Sequence, residues 1–142
     1  MILLDTNVLS ELLRPLPDPA VGRWLDSQPG TSLFTSAITE AELRLGLALM
    51  QLGRRRAALA VAIGNILADD FANRILPFDS PAAAAFAEVV ASRRRAGRPI
   101  SQSDAQIAAI ALARSAKVAT RNVPDFESCG VEVVNPWTAG AI

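Results

Sequence analysis

The stretch Met1-Ile-Leu-Leu-Asp-Thr-Asn7 decides the fold of this chain, because an apolar run ends there abruptly at an acid. Ile2 to Leu4 has the composition of a short buried strand. Such a strand delivers the carboxylate of Asp5 to its own C-terminal end, where open α/β sheets hold their ligands. Asp5 is therefore the residue around which we expect a site to form.

Short apolar strands alternate with helical segments along the rest of the chain. After the opening strand, the pattern predicts further strands at 32–36, 74–78, 117–120 and 131–134. It predicts helices at 5–14, 21–25, 39–53, 54–73, 80–96 and 102–115. The third and fourth helices, separated by a glycine, are predicted to pair as an αα-hairpin. This alternation indicates an α/β protein with a central parallel sheet of four to five strands and helices on both faces.

The length and the apolar content indicate one domain over residues 1–142. A chain of 142 residues with 51% apolar residues is long enough to bury a sizeable core. Asp5 and Glu11 interrupt the apolar start, and no positively charged segment precedes it, which argues against a signal peptide. The apolar stretch 57–68 is too short to cross a membrane. We therefore expect a cytoplasmic protein with no membrane partner.

The residue types present restrict the chemistry that this chain can perform. One cysteine and no histidine exclude an internal disulfide, a Cys/His zinc site and any histidine catalysis. The formal net charge is zero, so the whole chain offers no general field that attracts nucleic acid. Arginine runs at 54–56 and 93–95 suit phosphate or carboxylate contacts, or are solvated helix faces. Carboxylates and a hard cation remain as candidates for catalysis.

Acidic residues fall where strands end and helices begin. Asp5 follows the first strand, Glu42 and Asp104 lie early in helices, and the corner Thr120–Asn122 follows the fourth strand. These positions share one edge of a parallel sheet, so we expect them to meet in one crevice. Carboxylates that close raise one another's pKa. A bound Mg²⁺ or Mn²⁺ relieves the repulsion, orients water and neutralises charge developing on a phosphodiester.

Helix capping is the plainer explanation of the same acids. The segments Thr39–Glu42 and Ser101–Asp104 both have the form of a capping box, with the hydroxyl residue at the N-cap. Asp5 precedes the first helix and can cap it. Capping and catalysis do not exclude each other, because a carboxylate in a first helical turn lies at the sheet edge in either case. Asp79, followed by serine and proline, is explained by capping alone.

Six short matches, in order along almost the whole chain, carry a resemblance to a known family. They are Met1-Ile-Leu-Leu-Asp-Thr-Asn-Val8, Ser36-Ala-Ile-Thr-Glu-Ala-Glu-Leu-Arg-Leu-Gly46, Ile75-Leu-Pro-Phe-Asp79, Asp104-Ala-Gln-Ile-Ala-Ala109, Val118-Ala-Thr-Arg-Asn122 and Asn135-Pro-Trp137. On these residues the chain resembles the PIN-domain ribonucleases of the VapC toxin family, above all the FitB-type members. The resemblance implies a three-layer α/β/α sandwich, dependence on Mg²⁺ or Mn²⁺, and RNA cleavage.

The resemblance also implies the roles of individual residues. Matched by position, Asp5, Glu42 and Asp104 are expected to be catalytic and to bind the metal. Asn122 is the fourth expected catalytic residue, although the family usually has an acid there. An amide brings no charge, so we expect weaker support for a second metal ion. Asp125, three residues further on, is the alternative source of that charge.

Substrate and partners are implied in the same way. Four polar residues beside the acids are expected to bind RNA or to position the site: Thr6, Asn7, Thr120 and Arg121. Toxins of this family are paired with an antitoxin that inserts a segment into the active-site groove. Operator DNA is then bound only through the antitoxin. The resemblance further implies a homodimer.

Two other functions fit parts of the sequence. Asn122 favours a catalytically weak PIN-fold module that acts by binding an antitoxin and, with it, operator DNA. An aspartyl-phosphate phosphatase also begins with an aspartate after an apolar strand. Phosphatases of that kind resemble a pattern with two aspartates, whereas this chain has Asn7 at the second position and Lys117 as its only lysine.

Overall fold

The computed structural model describes residues 1–139, so the last three residues of the predicted domain lie outside the described part. Five parallel strands form the central sheet: β1 (Ile2–Leu4), β2 (Leu33–Ser36), β3 (Ile75–Leu76), β4 (Lys117–Ala119) and β5 (Val133–Val134). Six α-helices are found in the same range: α1 (Thr6–Leu12), α2 (Pro19–Asp26), α3 (Ala37–Ala48), α4 (Arg54–Asn65), α5 (Ser80–Arg95) and α6 (Gln102–Ala113). The predicted α/β class and parallel sheet are confirmed.

The alternation of side chains in β1 assigns the two helical layers. Leu3 and Leu4 are both fully buried but point to opposite faces of the sheet. Leu3 packs in a cluster with residues of α5 and α6, and Leu4 packs with residues of α1 to α4. The predicted α/β/α sandwich is therefore confirmed. None of the helices within residues 1–139 has the length and apolarity needed to cross a membrane.

The start of α3 differs from the prediction. The hydroxyl of Ser36 accepts a hydrogen bond from the backbone N–H of Thr39, so Ser36 is the N-cap and the helix begins at Ala37. The predicted capping box with Thr39 at the N-cap is wrong, because Ser36 is also a good capping residue and follows β2 directly. Glu42 consequently lies in the second turn of α3.

The predicted fourth helix is shorter and less regular than expected. The α-helical part ends at Asn65 and continues as a π-helical turn, Ile66–Asp70. Asn73 then takes a left-handed conformation with φ of 61°, which asparagine tolerates better than most residues, and the chain turns into β3. The link between α3 and α4 runs from residue 49 to 53, so the predicted one-glycine separation is wrong. The predicted strands likewise shrink, most of all β3 and β5, to two residues each.

The strand order places a switch point beside β1. The order across the sheet is β3-β2-β1-β4-β5, so the chain builds outward on one side of β1 and then on the other. In such sheets the crevice between the two central strands, at their carboxyl ends, is where ligands bind. Asp5 ends β1, and its backbone N–H bonds to the carbonyl of Ala119 at the end of β4. The sheet therefore brings Asp5 beside the corner that follows β4.

Candidate active site

A cavity of about 440 Å³ opens at this switch point. Every predicted site residue except Thr120 lines it. The lining consists of Asp5, Thr6, Asn7, Ser10, Glu11, Arg14, Glu42, Asp104, Arg121, Asn122 and Trp137. Residues more than one hundred positions apart in sequence are thus brought to one polar crevice.

Asp5 is held in place by three hydrogen-bond donors. Its Oδ1 accepts from the backbone N–H of Thr6 at 2.8 Å, so its predicted capping of α1 is confirmed. Its Oδ2 accepts from the hydroxyl of Thr120 at 2.8 Å and from Nδ2 of Asn7 at 3.2 Å. Two carboxylate oxygens offer about four acceptor positions, so Asp5 retains capacity for one more partner.

The pKa of Asp5 is raised to about 6. Burial is the main cause, since the residue is 5% exposed and loses its hydration. The hydrogen bonds from Thr120 and Thr6 lower the pKa, while the negative charges of Asp104 and Glu42 raise it further. The charges of Asp104 and Glu42 are therefore close enough to destabilise the charged form of Asp5.

Glu42 is oriented by a chain of hydroxyl groups. Its Oε1 accepts a hydrogen bond from the hydroxyl of Thr6 at 2.9 Å. The hydroxyl of Thr6 has one proton, which it donates to Glu42. In the 3.1 Å hydrogen bond between the Thr6 and Thr39 hydroxyls, Thr39 is therefore the donor. The hydroxyl of Ser36 donates in turn to Thr39 at 3.4 Å. The buried start of α3 thus directs a proton donor toward Glu42.

Asp104 lies in the first turn of α6. The hydroxyl of Ser101 accepts from the backbone N–H of Asp104 at 3.2 Å, so the predicted N-cap at Ser101 is confirmed. Burial raises the pKa of Asp104, and the negative charge of Asp125 raises it further. The hydrogen bond with Ser101 and the charge of Arg93 act in the opposite direction. Within residues 1–139 no side chain forms an ion pair with Asp104 or Asp5.

Asn122 and Asp125 differ in how they relate to the cavity. Asn122 lines the cavity, and its backbone N–H bonds to the hydroxyl of Thr120 at 3.0 Å. Asp125 lies in the 3₁₀ turn Val123–Phe126, exposed to solvent, and does not line the cavity. Its charge nevertheless acts on Asp104. The amide is thus at the site and the nearest additional charge is just outside it.

Thr120 and Arg121 have different surroundings. Thr120 is fully buried, and its hydroxyl donates to Asp5 while it accepts from Asn7 at 3.1 Å. It supports Asp5 and is not among the residues that line the cavity, and its expected role toward the substrate stays a prediction. Arg121 is exposed, and its guanidinium lies 5.2 Å from the centre of the Trp137 ring. Stacking on an aromatic face leaves the edge of a guanidinium free to donate hydrogen bonds.

Glu11 lines the cavity, although it was not predicted as a site residue. Glu11 is 4% exposed and lies one helical turn after Asn7 on the same face of α1, a spacing that could have indicated it. Its carboxylate is paired with Arg14 at 3.2 Å and accepts from the backbone N–H of Asp18. Glu11 is therefore neutralised by its own neighbours. Asp79, explained by capping alone, does cap α5, and it pairs with Arg114.

The acids fit a hydrated hard cation better than a closed metal cage. Among residues 1–139, no three acidic, cysteine or histidine side chains stand together closely enough to hold a metal ion by themselves. Mg²⁺ usually keeps several water ligands and binds through one or two carboxylates. Asp5 and Asp104 have raised pKa values and form no ion pair with any residue of the range 1–139, and a divalent cation would stabilise their charged forms. The donor set, all oxygen, is what Mg²⁺ and Mn²⁺ prefer.

A family model agrees with this α/β/α sandwich and its acidic crevice. The PIN domain family matches residues 2–127, which is most of the chain. This chain therefore belongs to the PIN-domain family, and its resemblance to the VapC and FitB-type members is confirmed by the relatives described next.

Three relatives align over nearly the full length of both chains. The plasmid stability protein StbB of Pseudomonas syringae pv. tomato is 48% identical over 98% of this chain and 100% of its own length. A VapC ribonuclease of Sinorhizobium fredii is 44% identical over 96% of this chain and 98% of its own. The toxin FitB of Neisseria gonorrhoeae is 46% identical over 96% of this chain and 99% of its own.

Two solved structures share the fold closely. The crystal structure of FitAcB from Neisseria gonorrhoeae gives a TM-score of 0.90 at 46% identity, over 97% of this chain and 99% of that one. The structure of FitAB bound to a DNA fragment gives a TM-score of 0.90 at 45% identity, over 96% of each chain. The arrangement of the sheet and helices is therefore that of FitB.

Proposed function

We propose that this protein is a metal-dependent endoribonuclease, the toxin of a type II toxin–antitoxin pair, which hydrolyses RNA phosphodiester bonds. One observation carries the proposal: Asp5, Glu42 and Asp104 line one cavity at the switch point, where burial, with smaller contributions from the charges of Asp104 and Glu42, raises the pKa of Asp5 to about 6. The relative named as a VapC ribonuclease supports the choice of RNA. A cytoplasmic site of action follows, because that is where RNA is made.

In this proposal the three acids have different roles, which follow from their surroundings. Asp5 and Asp104 hold Mg²⁺ or Mn²⁺, directly or through water. When bound, the cation lowers the pKa of a water molecule and neutralises charge on the phosphate. Glu42, oriented by the hydroxyl of Thr6, adds negative charge and orients the attacking water. The amide of Asn122 completes the polar rim without adding charge.

The rim residues bind the RNA backbone. Thr6 and Asn7 line the cavity beside Asp5, and Arg121 is held against Trp137 with its edge toward solvent. An arginine fixed in this way presents two parallel donors to a phosphate. The zero net charge of the chain means that this local contact, and not a general field, must attract the RNA.

Replacing Arg121 tests the phosphate contact. We expect Arg121→Ala to raise KM for RNA about tenfold and to change kcat little, because a single charge-assisted hydrogen bond contributes roughly 1.5–3 kcal/mol. Arg121→Lys keeps the charge but not the planar fork, so its KM for RNA should lie between those of the wild type and Arg121→Ala. Steady-state kinetics on one defined RNA measures both effects. A loss confined to kcat would contradict a role in substrate binding.

An antitoxin is the proposed protein partner. An apolar groove of about 720 Å³ opens beside the acidic cavity and shares Thr6 and Glu42 with it. Residues of α1, α3 and α4 and of the segments that follow α1 and α3 line this groove, among them Leu13, Leu47 and Leu59. Such a groove suits an inserted segment of another chain. We further propose that operator DNA is bound only through the antitoxin and that the toxin forms a homodimer.

Metal removal tests the proposed activity directly. Purified protein, freed of antitoxin, is incubated with a panel of defined RNAs in Mg²⁺ or Mn²⁺ and with EDTA, and the product ends are mapped. We expect cleavage that stops with EDTA and returns when either cation is added in excess. Cleavage that persists in EDTA, or none on any RNA despite Mn²⁺ binding, would overturn the proposal.

The second candidate is a binding module with little catalysis, and Asn122 favours it because it replaces an acid by an amide. Mn²⁺ titration by calorimetry separates the two functions. A binding module should show no Mn²⁺ affinity at the acids and no metal-stimulated cleavage. The phosphatase alternative is left without support, since the chain belongs to the PIN-domain family.

A further inference from the structure

Arg93 is a buried arginine without an acidic partner. It lies in the last turn of α5 and is 5% exposed, whereas the neighbouring Arg94 and Arg95 are exposed. No carboxylate within residues 1–139 forms an ion pair with it. A run of three arginines at a helix end looks like a solvated face in the sequence. Its first member is instead enclosed by the fold.

The guanidinium of Arg93 donates to five backbone carbonyl groups, and these belong to two separate segments. In the segment after α5, Nε bonds to the carbonyl of Arg98 at 2.6 Å and Nη2 to that of Pro99 at 3.5 Å. In the segment after β4, Nη1 bonds to the carbonyls of Pro124, Asp125 and Glu127 at 3.3, 3.0 and 2.8 Å. One side chain thus joins the two segments.

Each of these segments leads directly to a residue of the acidic cavity. Pro99 lies two residues before Ser101, the N-cap that begins α6 and holds the backbone of Asp104. Pro124 lies two residues after Asn122, whose backbone N–H bonds to the hydroxyl of Thr120. The backbone N–H of Asp125 also bonds to the carbonyl of Asn122 at 3.0 Å. Movement of either segment therefore displaces one wall of the cavity relative to the other.

The chemistry of the site requires an arginine. A buried cation is costly unless its donors are satisfied, and a guanidinium has five N–H groups in a rigid planar fork. Nε and Nη2 each donate to one carbonyl of the segment after α5, and the two N–H groups of Nη1 are shared among three carbonyls of the segment after β4. A lysine has three donors on one nitrogen and cannot reach both segments from the same stem. A second link between the segments, the ion pair of Arg98 with Glu127 at 2.8 Å, is exposed and contributes little.

We propose that Arg93 is a positioning residue for the active site, which fixes the α6 wall carrying Asp104 against the β4 corner carrying Asn122. The expected effect on kcat rests on the proposed nuclease function. The coupling of the two segments by Arg93 is independent of that function. Arg93 itself lies behind the cavity wall and does not line the cavity.

The test compares Arg93→Met with Arg93→Lys and with Arg94→Met as the matched control. Methionine keeps much of the apolar stem and removes all five donors, and Arg94 is an exposed neighbour on the same turn. We expect Arg93→Met to lower kcat about ten- to a hundredfold with KM changed less than about twofold, because small misplacements of catalytic groups act on the chemical step. Arg93→Lys should lower kcat less than Arg93→Met does, and Arg94→Met should have the kcat and KM of the wild type.

Two measurements without RNA separate positioning from a general loss of stability. Amide hydrogen exchange should quicken at residues 98–104 and 122–128 in Arg93→Met and stay unchanged in the core strands. The affinity for Mn²⁺ should fall about tenfold, since the acids no longer hold their relative positions. If Arg93→Met does not fold, hydrogen exchange and Mn²⁺ affinity are measured on Arg93→Lys, which keeps the charge and the stem. Those two measurements then show whether Arg93 positions the two segments.

The possible failures are distinguishable. If the wild type cleaves RNA and the folded Arg93 variants keep its kcat, Mn²⁺ affinity and exchange pattern, the inference is overturned and the proposed function stands. If the wild type cleaves no RNA, the proposed function fails, while exchange and Mn²⁺ binding still decide whether Arg93 couples the two segments. Uniformly faster exchange throughout the chain would also overturn the inference, because it indicates only lower stability.

Discussion

Asp5→Asn is expected to abolish RNA cleavage while leaving the protein at least as stable as the wild type. The activity loss should be about a thousandfold or more, equivalent to roughly 4 kcal/mol of transition-state stabilisation, because the most buried of the three acids loses its charge. Asparagine has the same shape, and its Oδ1 can still accept from the backbone N–H of Thr6. The start of α1 should therefore be preserved.

The stability part of this prediction follows from the raised pKa of Asp5. The folded pKa of about 6 lies above 3.8, the ordinary value for an aspartate, so the folded state favours the protonated form. That favourable contribution is complete below pH 3.8 and is lost as pH rises through 6. At pH 7.5 the metal-free wild type consequently carries an unfavourable buried charge of up to roughly 3 kcal/mol. Since asparagine keeps only part of the hydrogen bonding, we expect a net gain of about 1 kcal/mol.

Denaturant unfolding in EDTA measures this gain. Wild type and Asp5→Asn should differ at pH 7.5 and converge toward pH 4, where Asp5 is protonated in the folded protein. Excess Mn²⁺ should reverse the order at pH 7.5, because only the wild type gains stability by binding the ion through Asp5. Undiminished cleavage by Asp5→Asn would refute the assignment. A large loss of stability would show that Asp5 is mainly a helix cap.

The sequence predicted the part of the site that depends on strand ends. Asp5 and the corner Thr120–Asn122 were located because an apolar run ends at each, and parallel strands bring such ends to one edge. Asp104 followed from the helix-start pattern at Ser101. These features depend on a few neighbouring residues, so periodicity and capping rules reveal them. Glu42 is assigned to the same crevice because it lies early in the helix after the second strand, and the family resemblance adds its expected catalytic role.

Three features were not predicted from the sequence: the N-cap of α3, the place of Glu11 in the cavity wall, and the burial of Arg93. Ser36 and Thr39 are both good N-caps, and only the end of β2 decides that Ser36 is used. Glu11 looked like an interruption of an apolar run, although it pairs with Arg14 inside the cavity wall. Arg93 could not be distinguished from Arg94, because its burial depends on a loop near residue 127 that is distant in sequence as well as on the loop directly after α5. Long-range packing, not local propensity, decides each case.

Asp104→Asn is the second change with a large expected effect. Asp104 is half-buried in the wall opposite Asp5, and within residues 1–139 its carboxylate has no ion-pair partner. We expect kcat to fall about a hundredfold or more, since a metal-binding charge is lost from the cavity. Glu42→Gln should lower kcat less, about tenfold, because the carboxylate of Glu42 already accepts a hydrogen bond from the hydroxyl of Thr6. Mn²⁺ titration should rank the variants in the same order.

The matched control for this change is Asp125→Asn, which removes an acid from just outside the same cavity. Asp125 is exposed and raises the pKa of Asp104 without lining the cavity. Its field is screened by solvent, so we expect kcat to change less than about threefold. Asn122→Asp, by contrast, adds a charge inside the cavity and should strengthen Mn²⁺ binding. If Asp125→Asn loses as much activity as Asp104→Asn, the fourth charge of the site lies on the turn after β4, and Asn122 is only a neutral rim residue.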